Sequence, residues 1–163
     1  MTDYVGDVAM SDQQTAIAAS DLLGKRVWSG GKGYIYLYCG ATATKNTPYR
    51  VAYTTGVAAT MPASGAFTDG AYINEVVVPT FRTMASGDSG WFQFFGLVVT
   101  AVMPSADYTA TYALRVYDGA IAQISAVPTG GNTEFGCVIS RLTTGAVTAA
   151  NIYLFGRQSL GVT

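Results

Sequence analysis

The tetrapeptide Gly87-Asp88-Ser89-Gly90 is the part of this sequence whose residue types and spacing most suggest chemistry, because such a tetrapeptide can surround a nucleophilic serine. A nucleophilic serine needs a base within hydrogen-bond reach, usually an imidazole. The chain has no histidine, and its three lysines, Lys25, Lys32 and Lys45, form no motif with Ser89. We therefore interpret residues 87–90 as a turn, in which Asp and Ser cap the backbone and Gly supplies positive φ. An enzyme centred on Ser89 is the alternative.

The ten carboxylates are dispersed along the chain. Four of them lie in predicted turns: Asp69, Asp88, Asp107 and Asp118. Glu75 and Glu134 are the only glutamates. No two acidic residues share a motif, so the sequence does not indicate the paired carboxylates of a glycosidase.

Phosphate-binding and metal-binding motifs are also missing from the sequence. The segment Gly30-Gly31-Lys32-Gly33 lacks the length of a P-loop and the Ser or Thr after its lysine, so it is interpreted as a hairpin tip. Cys39 and Cys137 are too far apart in sequence to form a metal-binding pair. We predict that both are buried free thiols, with one disulfide between them as the alternative. The sequence thus predicts no catalytic, cofactor-binding or metal-binding residues.

Aromatic residues are the remaining candidates for a binding site. The chain has eleven tyrosines, seven phenylalanines and two tryptophans. They could form a stacking platform for sugars or bases, or fill a core and a subunit interface. In a chain with so few charges we favour core and interface.

The composition restricts the class of protein. The 163 residues are enough for one domain, and only 12% are charged, about half the usual share, which favours an assembly over a freely diffusing monomer. The net charge of −1 comes from scattered residues with no basic run, so nucleic acid is not an expected partner. The N-terminus carries acids where a secretory signal needs bases, and no apolar run reaches about 18 residues. We therefore expect synthesis in the cytoplasm and no membrane span.

From Val27 onward the sequence predicts strands and turns. In 33–39 tyrosines alternate with Ile35 and Leu37, which predicts a strand with two different faces, and further strand-like runs occupy 48–53, 71–79, 90–104, 133–142 and 151–157. Asp118-Gly119 between two alternating runs predicts a two-residue hairpin, and Gly96 predicts a bulge or sharp bend. The fold class we expect is all-β, a small β-barrel or sandwich of about eight or nine strands.

Residues 1–25 differ from the rest and are predicted to form an extended N-terminal arm, leaving 26–163 as a single β-domain. Ser11 or Asp12 could cap one or two helical turns, but Ile17 is the only large apolar residue of 11–20. One apolar side chain cannot anchor a helix to a core. An arm that becomes ordered on a neighbouring molecule and a frayed terminus are the two interpretations.

The order of these segments resembles a known family. "AASDLLGKRVW", a glycine-rich tip, "GYIYLYCGATATKNTPYRVAY", "GDSGWFQFFGLVVTAV", "YDG" and a final "NIYLFGR" resemble small β-rich capsid decoration, or cement, proteins of tailed bacteriophages. The resemblance spans most of the chain and is carried by the "LLGKRV" entry and the "GWFQFFG" strand.

This resemblance implies a structural virion protein that lacks catalytic residues and stabilises an icosahedral head from the capsid outer surface. It implies the major capsid protein as partner, a homotrimer as oligomer and an N-terminal arm that contributes to the contacts. The alternative is a receptor- or glycan-binding head of a phage fibre or spike, in which Trp28, Trp91 and tyrosines would form the sugar platform. Exposure of Trp91 separates the two interpretations, because the decoration protein would keep it in the core.

Overall fold

The computed structural model describes residues 22–52, 57–59, 76–106, 113–117, 120–124, 134–141 and 147–156, together with the pairs 4–5, 8–9 and 14–15. Every regular element in these ranges is a strand. The strands are β1 (Tyr4–Val5), β2 (Val8–Ala9), β3 (Gln14–Thr15), β4 (Arg26–Ser29), β5 (Lys32–Cys39), β6 (Tyr49–Ala52), β7 (Val57–Ala59), β8 (Val76–Val77), β9 (Asp88–Ala106), β10 (Ala113–Tyr117), β11 (Ala120–Ile124), β12 (Glu134–Arg141) and β13 (Val147–Phe155). The described part is therefore all-β, as the sequence predicts. Within it, no helix is long and apolar enough to cross a membrane.

Five strands form a continuous antiparallel sheet in the order β12, β13, β9, β5, β4. β10 and β11 extend it beyond β12, and β7, parallel to β5, connects it to β6 and β8. The described strand order runs from β11 at one end to β8 at the other, and these two strands do not pair with each other. The described sheet is therefore not closed into a barrel, which removes the barrel from the two predicted architectures.

Two predicted hairpins are confirmed by the strand pairing. Ser29 pairs with Lys32 across the tip between β4 and β5, where Gly30 and Gly31 both have positive φ, 56° and 75°, as a tight two-residue turn requires. Tyr117 pairs with Ala120 between β10 and β11, which leaves a two-residue connection at the predicted Asp-Gly. Ten described strands follow residue 25, rather than about eight or nine. The predicted runs did not include β4, which precedes the hairpin tip at 30–33, or the three-residue β7.

β9 is the longest described strand, at 19 residues, and it pairs with β5 along one half and with β13 along the other. Its first half pairs with β5, from Ser89 to Phe95, and its second half pairs with β13, from Phe95 to Ala106. The two halves meet at Gly96, whose φ of 93° produces the predicted bend. A Cβ there would lie 3.0 Å from the carbonyl oxygen of Gly31, so both the backbone angle and the close packing require glycine.

The buried side chains form three clusters, one beside the second half of β9 and two on opposite faces of its first half. Under the second half of β9 lies a cluster of aliphatic residues that includes Val98, Leu114 and Ile152. The first half is covered on both faces, by one cluster around Leu37 and Phe92, and by another formed by Tyr34, Tyr36 and Trp91. Burial on both faces explains why β5 carries large apolar residues at every position from 34 to 38.

The N-terminal region is described only in part. β1 pairs with β2, and β3 pairs with the start of β9, Gln14 opposite Ser89. Leu22 and Leu23 pack against the cluster that contains Trp91. The proposed helix caps, Ser11 and Asp12, and Ile17 lie outside the described residues. The end of the predicted arm thus contacts its own β-domain, a contact that the composition of residues 1–25 does not predict.

Candidate functional site

Ser89 lies in strand β9 and is fully buried. The turn predicted at residues 87–90 is formed earlier, where the Asp88 N–H donates to the Ala85 carbonyl at 3.2 Å. The Ala85 N–H donates to Asp88 Oδ2 at 2.8 Å, so the Asp caps the turn while Ser89 and Gly90 continue the strand. The prediction was wrong by about two residues, because pairing with β5 draws the Asp-Ser-Gly end of the tetrapeptide into the sheet.

Ser89 is one of four buried polar groups without a hydrogen-bond partner in the described structure. They are Tyr36 OH, Ser89 Oγ, Trp91 Nε1 and Gln93 Oε1. All four belong to alternate residues of β5 and β9, so they lie on the same face of that strand pair. Neither a base nor any other described group contacts the Ser89 hydroxyl by a hydrogen bond, and no surface gives a substrate access to it. The geometry therefore offers no support for a nucleophilic role.

The two cysteines are both free thiols, and they have different surroundings. Cys39 is fully buried, and burial, followed by the negative charge of Asp88, raises its pKa to about 12. Cys137 is only half-buried, and burial raises its pKa as well. The prediction of buried thiols is thus confirmed for Cys39 and wrong in part for Cys137. Within the described residues no group of three His, Cys, Asp or Glu side chains could hold a metal ion.

An exposed apolar surface covers the outward side of β9, β13 and β12. Alternation directs Val98, Val138 and Ile152 into the core, so their neighbours in sequence face outward. We call this surface the outer face, and its members are Leu97, Val99, Val102, Ile139, Tyr153 and Phe155. Five of the six are among the exposed large hydrophobic side chains, with 37–54% of their surface accessible. A contiguous apolar sheet face of this kind is typical of an interaction surface.

A polar group at the centre of the outer face holds two bulges in place. The Thr100 N–H donates to Asn151 Oδ1 at 3.0 Å, and Asn151 Nδ2 donates to Ser140 Oγ at 3.0 Å. The register shifts on both sides of Asn151, with an extra residue in β9 and an extra residue, Ile139, in β12. Thr100 has a φ of 58°, which is rare for a β-branched residue. The two bulges place Val99 and Ile139 outward on either side of Asn151.

An aromatic row connects the outer face to β4. The Phe95 ring lies edge-on to Trp28 at 5.0 Å between centroids and edge-on to Tyr153 at 5.5 Å. Trp28 is 63% exposed, whereas Trp91 is 2% exposed and packs against Tyr36 at 5.1 Å. The core position of Trp91, which one of the two interpretations predicted, is confirmed, so Trp91 is not available to a sugar platform.

Other residues singled out in the sequence fall outside the described ranges. Asp69, Asp107 and Asp118 lie there, as does Glu75, so the predicted absence of a carboxylate pair stays a prediction. The outer face is not predicted by the strand patterns read from the sequence. Its signal was present in "LVVTAV" at 97–102, where Thr100 is the only polar residue, but a one-residue bulge breaks the period-two alternation that would have revealed it.

Comparison with known proteins adds no family assignment to this geometry. No protein-family model, no curated protein and no solved structure matches the chain.

Proposed function

We propose that this protein is a structural virion component, a decoration or cement protein that binds the outer surface of an icosahedral phage capsid and stabilises the shell. Its partner would be the major capsid protein, and it would associate as a homotrimer. The observation that carries the proposal is the outer face, an apolar sheet surface in a chain with few charges. The order of sequence segments, which resembles cement proteins, supplies the choice of capsid as partner.

The physical requirements of a cement protein fit this surface. A shell is held by many modest contacts repeated by symmetry, so the effective concentration of neighbouring sites provides strength without a deep pocket. Apolar side chains on a rigid antiparallel sheet bury area on docking without first losing much conformational freedom. The bulged centre of the outer face also supplies polar groups at Asn151 and Ser140, as interfaces commonly require.

We also propose a sandwich for the complete β-domain and an N-terminal arm, residues 1–25, that reaches a neighbouring subunit. The three buried clusters on different faces of the strands support packed layers rather than one flat sheet. The pairing of β3 with β9 would then fix the point from which the arm leaves the domain. Deleting residues 1–20 should leave a folded domain with weaker capsid attachment. Unchanged capsid occupancy by the truncated protein would remove the arm from the proposal.

A second candidate, a receptor- or glycan-binding head of a fibre or spike, is favoured by one observation, the exposure of Trp28 beside Phe95. An exposed indole next to a second ring can stack on a sugar. Because Trp91 is buried, any change of tryptophan fluorescence on adding saccharide would come from Trp28. A saccharide-dependent change that is lost in Trp28→Ala would favour this candidate over the decoration protein.

The first experiment is to count this protein in purified virus particles by quantitative mass spectrometry against the major shell subunit. A copy number comparable to that of the shell subunit supports a decoration protein. A few copies per particle would point to a fibre or tail component, and absence from particles would overturn the proposal.

A charge placed on the outer face tests which surface docks. Ile139→Asp should reduce capsid occupancy strongly, because a carboxylate would be buried at the contact in place of an apolar side chain. Thr42→Asp, at an exposed residue away from the outer face, is the matched control and should bind as the unmodified protein does. Equal occupancy by both variants would show that the outer face is not the docking surface.

A further inference from the structure

A cleft of about 230 Å³ opens beside the bend of β9 and shares Val99 with the outer face. It is lined by Lys32, Lys45, Asn46, Thr80, Gln93, Val98 and Val99. The lining has two cationic side chains, three neutral polar side chains and no acidic one. Its composition differs from that of the rest of the described surface, where charge is sparse.

Gln93 lines this cleft, and its side chain carries an unused acceptor. Its side-chain Nε2 donates to the carbonyl oxygens of Phe95, at 3.1 Å, and Leu97, at 3.0 Å, the two residues that flank Gly96. These two bonds fix which end of the amide is nitrogen, so the other end, Oε1, is an acceptor. Oε1 is buried and has no hydrogen-bond partner. A buried acceptor without a donor costs free energy, which a ligand that donates a hydrogen bond would recover.

The two lysines supply positive charge at the same cleft. Lys32 begins β5, and its Cγ would lie 3.3 Å from a Cβ at Gly96, so the aliphatic stem occupies room that the glycine leaves free. Lys45 is exposed in the loop between β5 and β6, and its backbone N–H donates to Thr83 Oγ1 at 3.0 Å. In the described part of the chain, neither ammonium group has an acidic partner among the residues that line the cleft.

The wall of the cleft is held rigidly by Asn46. Its φ is 61°, its N–H donates to the Pro79 carbonyl at 2.9 Å, and its carbonyl accepts from the Val102 N–H at 2.8 Å. Both backbone groups are therefore tied to other parts of the fold, which keeps the residue in a left-handed conformation. The loop that carries Lys45 is thus positioned before any ligand arrives, and little ordering has to accompany binding.

We propose that this cleft is a binding site for a small hydroxylated oxyanion, the chemical class that includes sugar phosphates and hydroxycarboxylates. Lys32 and Lys45 bind the anionic group, while Gln93 Oε1 accepts a hydrogen bond from a neighbouring hydroxyl. Asn46 and Thr80 provide further hydrogen-bonding groups at the rim. The site is a property of the isolated protein and does not rest on the proposed role at the capsid.

Three small probes test the proposal by titration of the purified full-length protein, followed by NMR. Glycerol 1-phosphate carries both the anion and the hydroxyl, methyl phosphate carries only the anion, and glycerol carries only hydroxyls. We expect glycerol 1-phosphate to bind most tightly, methyl phosphate more weakly and glycerol not at all. The side-chain amide resonances of Asn46 and Gln93 should shift with glycerol 1-phosphate. Equal binding of the two phosphates would overturn the role of Gln93, and no binding of either would overturn the site.

Neutral substitutions of the lysines distinguish specific binding in the cleft from general attraction of an anion by positive charge. Lys32→Gln and Lys45→Gln should each weaken glycerol 1-phosphate binding about tenfold. Lys25→Gln, which removes an exposed charge outside the cleft, is the control and should leave binding unchanged. An equal loss in all three variants would show non-specific electrostatics and overturn the proposal. Gln93 is not substituted in these variants, because its amide also stabilises the bend through the Phe95 and Leu97 carbonyls. All three lysine variants should retain the thermal stability of the original protein.

Discussion

The two halves of β9 are continuous in sequence but have opposite environments. From Ser89 to Phe94 the strand is buried on both faces, between the Phe92 cluster and the Trp91 cluster. From Leu97 to Met103 one face packs on the core while the other presents Leu97, Val99 and Val102 to solvent. Both halves are apolar, so hydrophobicity alone does not distinguish a core strand from a strand that carries a surface. The two halves differ because other described residues cover both faces of the first half but only one face of the second.

The largest expected effect is that of losing a buried aromatic ring from the first half of β9. Trp91→Ala should lower the free energy of unfolding by about 3–5 kcal/mol, since it removes a buried ring and leaves a cavity. Trp28→Ala is the matched variant at an exposed ring and should cost less than about 1.5 kcal/mol, the worth of its edge-on contacts. Urea denaturation of both variants measures the difference. Similar losses would show that Trp28 is covered in the folded protein.

The second prediction concerns the bulged centre of the outer face. Asn151→Ala should cost about 1–3 kcal/mol, because it removes the acceptor for the Thr100 N–H and the donor to Ser140. Asn151→Asp keeps an acceptor for that N–H, and the Ser140 hydroxyl can donate to the new carboxylate, so its loss should be smaller. Thermal unfolding of the two variants gives the comparison. If Asn151→Ala is as stable as the original protein, the bulges are held by backbone pairing alone.

A third prediction uses the two thiols to compare buried and outward positions. Native protein at pH 8 should be alkylated at Cys137 well before Cys39, whose raised pKa and full burial keep it protonated and covered. Mass spectrometry of the alkylated protein gives the order of reaction. Faster modification of Cys39 would contradict its place in the core.

The raised pKa of Cys39 also leads to a prediction of how the free energy of unfolding changes with pH. In the unfolded chain Cys39 loses its proton near its ordinary pKa of 9.0, whereas in the folded protein the pKa is about 12. The stabilisation is therefore complete below about pH 9 and is lost as pH rises towards 12, because only the unfolded state gains by releasing the proton. Urea denaturation at pH 8 and pH 10.5 should show a steeper loss for the original protein than for Cys39→Ala. An equal loss of unfolding free energy between the two pH values in both proteins would show that the Cys39 thiol is less buried than the structure has it.

The smallest effect is expected at Ser89. Its hydroxyl is buried without a partner, so Ser89→Ala removes an unsatisfied polar group and should change the free energy of unfolding by close to zero or raise it slightly. Equilibrium unfolding of this variant is the measurement. A loss above about 1 kcal/mol would show that the hydroxyl has a partner in the folded protein, since that is the usual worth of a hydrogen bond.

Much of the fold could be predicted from the sequence, because alternation and turn residues are local signals. The strand at 33–39, the bend at Gly96 and the hairpin around Asp118-Gly119 all follow from such signals. The open strand order could not be predicted, since it depends on pairings such as β5 with β7, which are distant in sequence and parallel. Nor could the exact start of β9, because the Asp-Ser-Gly sequence suits a turn and a strand end equally well.

The candidate sites were less predictable than the fold. The lack of histidine in the chain argues against a Ser89 nucleophile, and the buried, unpartnered hydroxyl agrees with that argument. The outer face depends on bulges beside Asn151, which shift the alternation by one residue in two strands. The cleft joins Lys32, Lys45 and Gln93 from three separate segments. Their proximity is a result of the tertiary fold and has no counterpart in sequence spacing.

The row of bulges around Asn151 has a consequence for how reliably the chain folds. Strands of similar apolar residues, such as 97–103 and 150–154, can mispair by sliding one residue, which would exchange inward and outward side chains. A slid arrangement would separate Asn151 from the Thr100 N–H and from Ser140, and would leave those polar groups without partners. Asn151 therefore favours the correct strand register over a register shifted by one residue. Each correctly folded molecule presents the same surface as every other.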